Sequence, residues 1–272
     1  MDIESLIYPI DIKSRSDVVK IKPLMDLHYG AKTCDLKAFR AFIADRDEHT
    51  YFLINGDMWD AIYFSDKRFT ASGHDNTDED DPIDIEVKEM AAILAPIKDK
   101  IIAIGMGNHE YTILKRCHTN ISKRLAEALG VPYMGYSYWV RLTMSRMEGT
   151  SGTRSIDFFV QHGFGGGTRT EGGSVSKYAK HADRFLCDVY IAGHDHRLQY
   201  VKYPSFALVG TKTARLISKS KIVLLGGSWK KTYAQGTAVS WEETKGFPAS
   251  EIGGATINIK VNDDWVKLSV DM

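Results

Sequence analysis

Five apolar, β-prone runs in this chain each end on a cluster of Asp, His or Asn. Residues 18–25 run into Asp26-Leu27-His28, and 51–54 into Asn55-Gly56-Asp57-Met58-Trp59-Asp60. Residues 101–104 run into Gly105-Met106-Gly107-Asn108-His109-Glu110, 155–161 into His162-Gly163, and 188–192 into Gly193-His194-Asp195-His196. Loops at the carboxyl ends of strands are where α/β sheets build their sites. One His after a strand is more often a satisfied polar residue than a ligand. Five such pieces in order, holding five of the nine histidines, reverse that reading.

The rest of the chain is ordinary for a globular protein. Its 272 residues suit one domain of α/β or two-sheet type, and 43% hydrophobic with 26% charged residues excludes a disordered, fibrous or coiled-coil chain. Lys plus Arg equals Asp plus Glu at 35 each, so contact with nucleic acid would have to come from a local patch rather than bulk charge. Three widely spaced cysteines, Cys34, Cys117 and Cys187, point to a reducing compartment. With no apolar signal core and no apolar run of membrane length, the cytoplasm is the expected location and no membrane is expected as partner.

Helical spacing is expected over 36–45, 85–97 and 111–129, with a glycine-weakened helix at 172–182. Further strands are expected at 138–147, 198–203, 221–225, 255–261 and 265–270, which makes the second half β-rich. The acidic stretch 65–84 reads as a solvated loop or a lid that repels polyanions. There is no internal repeat or linker, so 1–272 is expected to be one domain, with a motif-bearing core at about 18–204 and a β-rich part at about 205–272 completing the second sheet.

The residue types suit divalent cations. Asp-x-His places a carboxylate and an imidazole on one side of an extended segment, because side chains repeat every second residue. Oxygen and nitrogen donors without thiolate suit Mn, Fe, Zn, Co or Ni, with Mn the first expectation. Two such ions about 4 Å apart would clamp a phosphate and acidify a water between them.

The ordered series resembles the calcineurin-like metallophosphoesterase superfamily over residues 25–197. The resemblance implies a four-layer α-β-β-α sandwich with two mixed β-sheets and hydrolysis of a phosphoester at two divalent metals. It implies Asp26, His28 and His196 as ligands of the first metal, Asp57 as the bridge, and Asn108, His162 and His194 as ligands of the second. His109 matches the histidine that acts on the phosphate as general acid or charge stabiliser. Asp60 matches the aspartate that pairs with that histidine.

Where serine/threonine phosphatases of the superfamily continue with Arg-Gly, this chain has Ala61-Ile62, and it keeps both histidines of Gly-His-x-His. The pattern is closer to the branches with DNA-repair exonucleases and cyclic-nucleotide phosphodiesterases. Lipid A-pathway hydrolases, which carry Arg in place of His109, fit poorly. The stretch from His162 to Gly173 resembles metallophosphoesterases associated with phages and prophages, whose location would be the host cytoplasm. Gly165, Gly166 and Gly167 let backbone N–H groups approach an anion, and Arg169 suits a phosphate oxygen; the plain alternative is a loop that only turns the chain.

The expected function is hydrolysis of a phosphodiester, with DNA, RNA or a nucleotide as substrate. A phosphomonoesterase is the alternative, and a binding protein on a degenerate fold is the alternative of another class. Lys212, Arg215, Lys219 and Lys221, and Lys230 and Lys231 near Trp229, Tyr233 and Trp241, are the patches that could meet a nucleic-acid strand, though a solvated face or a satellite core fits them as well.

Overall fold

A computed structural model describes residues 3–14, 16–62, 81–146, 153–168, 170–210, 213–234, 240–261 and 266–272. The expected acidic loop (apart from its last residues), Arg169 and Lys212 lie outside the described residues, as does the side chain of Trp241.

Twelve strands form two six-stranded mixed sheets. The first sheet contains β1 (Glu4–Ile12), β6 (Ser137–Arg146), β7 (Arg154–Gln161), β8 (Val189–Ala192), β10 (Arg215–Gly226) and β9 (Leu198–Val209), in that order. The second contains β12 (Val266–Asp271), β11 (Thr256–Val261), β2 (Val18–Leu24), β3 (Thr50–Ile54), β4 (Ile101–Gly105) and β5 (Tyr133–Gly135). Strands β2, β3 and β4 run parallel, as do β7, β8 and β10.

Strand parity makes the layers. In β2, Val19 and Ile21 face the first sheet and join Val140, Phe158, Ile191 and Leu224 in the core between the sheets. Leu24 faces the other way with Phe52 and Ile54, against helices α1 (Leu36–Ala44), α2 (Pro82–Leu94) and α4 (Ile121–Leu129) through Phe39, Met90 and Leu125. On the far side of the first sheet, Phe159, Tyr190 and Val223 pack under Tyr178 and Ala182 of α5 (Gly173–Ala182). A strand buried on both faces must be apolar at consecutive positions, as β4 is. The result is the α-β-β-α sandwich. Tyr138 ties the two sheets together, its hydroxyl donating to the carbonyl of Ile54 at 3.0 Å.

Several elements differ from the sequence expectation. The helix expected at 111–129 is two helices, α3 (Asn108–Cys117) and α4. His118 adopts a left-handed φ of 52° and ends α3, and the Asn120 side chain caps α4 by accepting from the N–H of Lys123. The acidic stretch gives way to α2 at Pro82, because proline suits the first helical turn. The N-terminal residues form β1, whose Ile10 and Ile12 alternate into the core; the charges between them face outward. Strands β9 and β10 are longer than expected. β8 covers only Ile222–Leu225 of β10, so the outer part of this hairpin runs past the sheet with Phe206, Leu208 and Leu216 exposed. The C-terminal β-rich part does not complete one sheet: β9 and β10 join the first, and β11 and β12 the second. No helix among the described residues is long and apolar enough to cross a membrane.

Candidate metal centre

The carboxyl ends of β2, β3, β4, β7 and β8 meet at one end of the sandwich, and the loops are sewn together there. Asp26 N–H donates to Gly56 O, His28 N–H to Asp57 O, and Gly193 N–H to His162 O, at 3.1, 3.0 and 2.7 Å. Asp26, His28, Asp57, His194 and His196 all have φ between 47° and 71°. Non-glycine residues rarely sit there, and such strain clusters at functional sites. The backbone at these residues is therefore turned rather than the extended segment expected for Asp-x-His. Gly107 and Gly193 permit the approach: a Cβ on Gly107 would strike the Asp57 carboxylate, and one on Gly193 would strike that of Asp26.

Two groups of donors result. In the first, His28 Nε2 lies 2.9 Å from His196 Nε2, and Asp26 Oδ1 lies 4.0 and 3.5 Å from those two nitrogens. In the second, Asp57 Oδ2 is 3.1 Å from His162 Nε2, while Asn108 Oδ1 is 3.0 Å from His162 Nε2 and 2.6 Å from His194 Nδ1. Both groups are compact enough for a cation, as is a third made of His28, Asp60 and His109.

The outer nitrogens decide whether this donor set fits a metal. His28 Nδ1 lies 2.9 Å from Asp60 Oδ1, His162 Nδ1 lies 2.9 Å from Asn55 O, and His194 Nε2 lies 2.6 Å from Gly165 O. Each acceptor takes the ring's one N–H when the imidazole is neutral, so the lone pair of the other nitrogen points inward. The inward nitrogens of His28, His162 and His194 converge with the oxygens of Asp26, Asp57 and Asn108, a donor set that suits a cation. The residues fit divalent metal.

The electrostatics agree. Burial, with the charge of Lys230 next, lowers His28 to about 4. Burial also lowers His194 and holds His196 well below the ordinary histidine value. His162 differs. Burial opposes its charge, but Asp57, Asp26 and Glu110 outweigh that and raise it to about 10. Burial likewise opposes ionisation of Asp57, and the charges of His162 and His109 overcome it and hold the carboxyl well below the usual range. In the metal-free protein, a proton on His162 therefore supplies the positive charge that the carboxylates demand.

His109 sits beside these groups. Its N–H bonds Asp57 Oδ1 at 2.9 Å, its Nδ1 bonds the main-chain carbonyl of Asp60, and its Nε2 is 3.9 Å from Asp57 Oδ2. Asp60 thus meets His109 through its backbone. Its carboxylate takes His28 Nδ1 and, at 3.0 Å, Lys230 Nζ. The ligand atoms of Asp60, His28 and His109 all lie within 4.8 Å of one another, so the Asp60 carboxylate stands beside both histidines.

Sequence reading missed three charges at the centre, two of them buried and one half-buried. Glu110, fully buried, accepts N–H groups of Gly107, Asp57 and Met58 at 2.7, 3.0 and 2.7 Å, and so joins the loops after β3 and β4. Its place three residues after the N-cap Gly107 was the available signal. Lys230 and Glu242 carried no local signal. Lys230 is buried between Asp60 and Glu242, at 3.0 Å from each, and Lys231 pairs with Asp35 at 2.7 Å. Lys230 thus fits the satellite-core alternative, while the Lys231 side chain stays 43% exposed beside Asp35. Lys221 is likewise buried, donating to carbonyls of Ala182 and Phe185. Trp229 belongs to the core against Phe39 and Phe42.

A cavity of about 300 Å³ opens over the donors. Gly165, Gly166 and Gly167 form one wall, and Phe247, Pro248 and Ser250 another. Lys177 of α5 pins the glycine loop by donating to the carbonyls of Phe164 and Gly166, and it bonds Asp195 at 2.9 Å.

No family model and no curated protein matches this sequence. Solved structures with a similar chain path include Vacuolar Protein Sorting 29 of Cryptosporidium parvum, at 14% identity over 93% of this chain and 97% of that one, with a TM-score of 0.37. They also include a predicted phosphoesterase of Streptococcus pneumoniae, at 13% identity over 93% and 89%, with a TM-score of 0.34. A metallophosphoesterase of Sphaerobacter thermophilus is similar at 12% identity over 93% and 88%, with a TM-score of 0.36. At such identities and overlaps, nothing of their chemistry is carried over to this chain.

Proposed function

We propose that this chain hydrolyses a phosphodiester of a nucleic acid or nucleotide with two divalent metal ions, Mn first among Mn, Fe, Zn, Co and Ni. The observation that carries the reading is the inward-facing nitrogens of His28, His162 and His194, each ring held by an oxygen acceptor behind it, beneath an open cavity. When bound, the ions would draw charge from the phosphate and acidify the attacking water. Asp26, His28 and His196 would hold one ion, and Asn108, His162 and His194 the other, with Asp57 between. His109 keeps its Nδ1 on the Asp60 carbonyl, so its Nε2 is the nitrogen that gives a proton to the leaving oxygen. The exposed Gly165–Gly167 wall would face the ester oxygens.

The preference for a diester rests on charge. A monoester dianion needs cations beyond the metals. Among the described residues lining the cavity, Lys230 is taken by Asp60 and Glu242, and Arg197 by Glu171. A monoanionic diester needs no such clamp.

The test is a panel with Mn²⁺-loaded protein: bis-p-nitrophenyl phosphate, p-nitrophenyl phosphate, single- and double-stranded DNA, RNA and cyclic nucleotides. The diester should be cleaved with the higher kcat/KM. Activity on the monoester alone would replace this reading by a phosphomonoesterase, and inactivity on the whole panel by a non-catalytic binding protein.

A further inference from the structure

Four charged or ionisable side chains, three of them buried and Glu242 half-buried, form a line from the cavity wall to a candidate ligand. Glu242 Oε1 lies 3.0 Å from Lys230 Nζ, Lys230 Nζ lies 3.0 Å from Asp60 Oδ1, and the same Oδ1 lies 2.9 Å from His28 Nδ1. The side chains of Lys230, Asp60 and His28 are 9%, 2% and 2% exposed. A lysine placed so deeply loses its hydration, and only close, hydrogen-bonded carboxylates offset that cost. Lys230 has two.

The backbone around Lys230 is held independently of these pairs. Ser228 Oγ and the N–H of Trp229 both donate to the carbonyl of Asp26, at 2.9 and 3.0 Å. Lys230 N–H donates to Ser228 Oγ at 3.1 Å, and Lys231 N–H to Thr33 O at 2.9 Å. The stretch after β10 therefore grips the first metal group twice: Asp26 through its main chain, and His28 through Lys230 and Asp60. With a second donor on the same oxygen, Asp60 Oδ1 is pinned between two fixed atoms, and the His28 ring is held with Nε2 toward Asp26 and His196.

We propose that Lys230 is a positioning residue of the metal centre: paired with Glu242, it holds Asp60, and through Asp60 it aims His28 at the metal. The proposal rests on the metal-centre reading above. It also assigns Glu242 a purpose, since the residue sits on the cavity wall with Phe247 and Pro248 and supplies the second counter-charge.

Lys230→Met alone leaves two carboxylates facing each other in a buried space and can lose the fold for that reason. The decisive variant is Lys230→Met with Glu242→Gln, which removes the cation and one anion together. The probe is Co²⁺, titrated into metal-free protein and followed by its visible absorption, with the melting temperature as control. Outer-sphere partners of ligand histidines are worth roughly 10–100-fold in metal affinity. The double variant should melt as the wild type does, yet bind Co²⁺ that much more weakly in one of two steps, with an altered spectrum for that step. Wild-type affinity and spectrum in a folded double variant would show that Lys230 only balances charge, and would overturn the proposal. If the wild-type protein itself gave no histidine-ligated Co²⁺ spectrum, the metal-centre reading would fall first, a result distinct from failure of the Lys230 assignment.

Discussion

His162 Nε2 stands 3.1 Å from Asp57 Oδ2, with both side chains nearly or fully shut off from water. A proton there does in the metal-free protein what a divalent cation would do in the loaded one. A group whose folded value is raised contributes stability that is complete below its ordinary value, near 6.5, and is lost as pH rises through its folded value, about 10. Metal must displace that proton. At pH 8, metal binding should release close to one proton from this residue, and apparent affinity should climb with pH toward 10. Calorimetry in two buffers of different ionisation enthalpy gives the number. Binding without proton release would remove His162 from the ligand set.

Asp57 stands where its carboxylate can serve both donor groups. Asp57→Asn keeps the shape and removes the charge, so both metal and rate should suffer. We expect at least one ion to be lost on purification and kcat to fall by more than about a hundredfold, beyond what outer-sphere losses cost. Elemental analysis beside turnover checks this; two retained ions with unchanged turnover would refute the bridging role.

His109→Ala should leave both ions in place and remove the proton donor. The expected loss is ~10²–10⁴-fold for a poor leaving group and much less for p-nitrophenolate, which leaves without a proton. Equal losses on both substrates, or loss of metal, would argue for ligation or simple charge stabilisation instead.

Glu110 carries structure rather than chemistry. Glu110→Gln offers N–H to N–H where the carboxylate had accepted from Gly107, Asp57 and Met58. A buried donor left without an acceptor costs about 1–3 kcal/mol, more where a charged partner is lost. Denaturant unfolding should show a loss of about 3 kcal/mol, with weaker metal binding following from the loosened Asp57 loop. Unchanged stability would mean that the loops after β3 and β4 do not depend on this carboxylate.

The sequence by itself determined the features that follow from local order. Short apolar, β-prone runs marked β2, β3, β4, β7 and β8, because a strand covered on both faces is apolar at consecutive positions. The candidate ligands were readable from their position: Asp26, His28, Asp57, Asn108, His162, His194 and His196 all stand in the segments that follow these strands. What only the tertiary structure decided depends on long-range contact. Lys230 and Asp60 are 170 residues apart in sequence, and nothing near Lys230 distinguishes it from Lys231 beside it. One is buried between Asp60 and Glu242 and the other is a partly exposed pair with Asp35, a difference set by the partners that the fold brings to each. The break was hidden because helical apolar spacing resumes beyond it: His118 turns left-handed and Asn120 is extended before Ile121 and Leu125 take up the pattern again. The partner of the Asp60 carboxylate was equally out of reach of motif spacing, which places a residue near a site but not its rotamer: that is chosen by whichever donors, here His28 and Lys230, the fold brings within 3.0 Å.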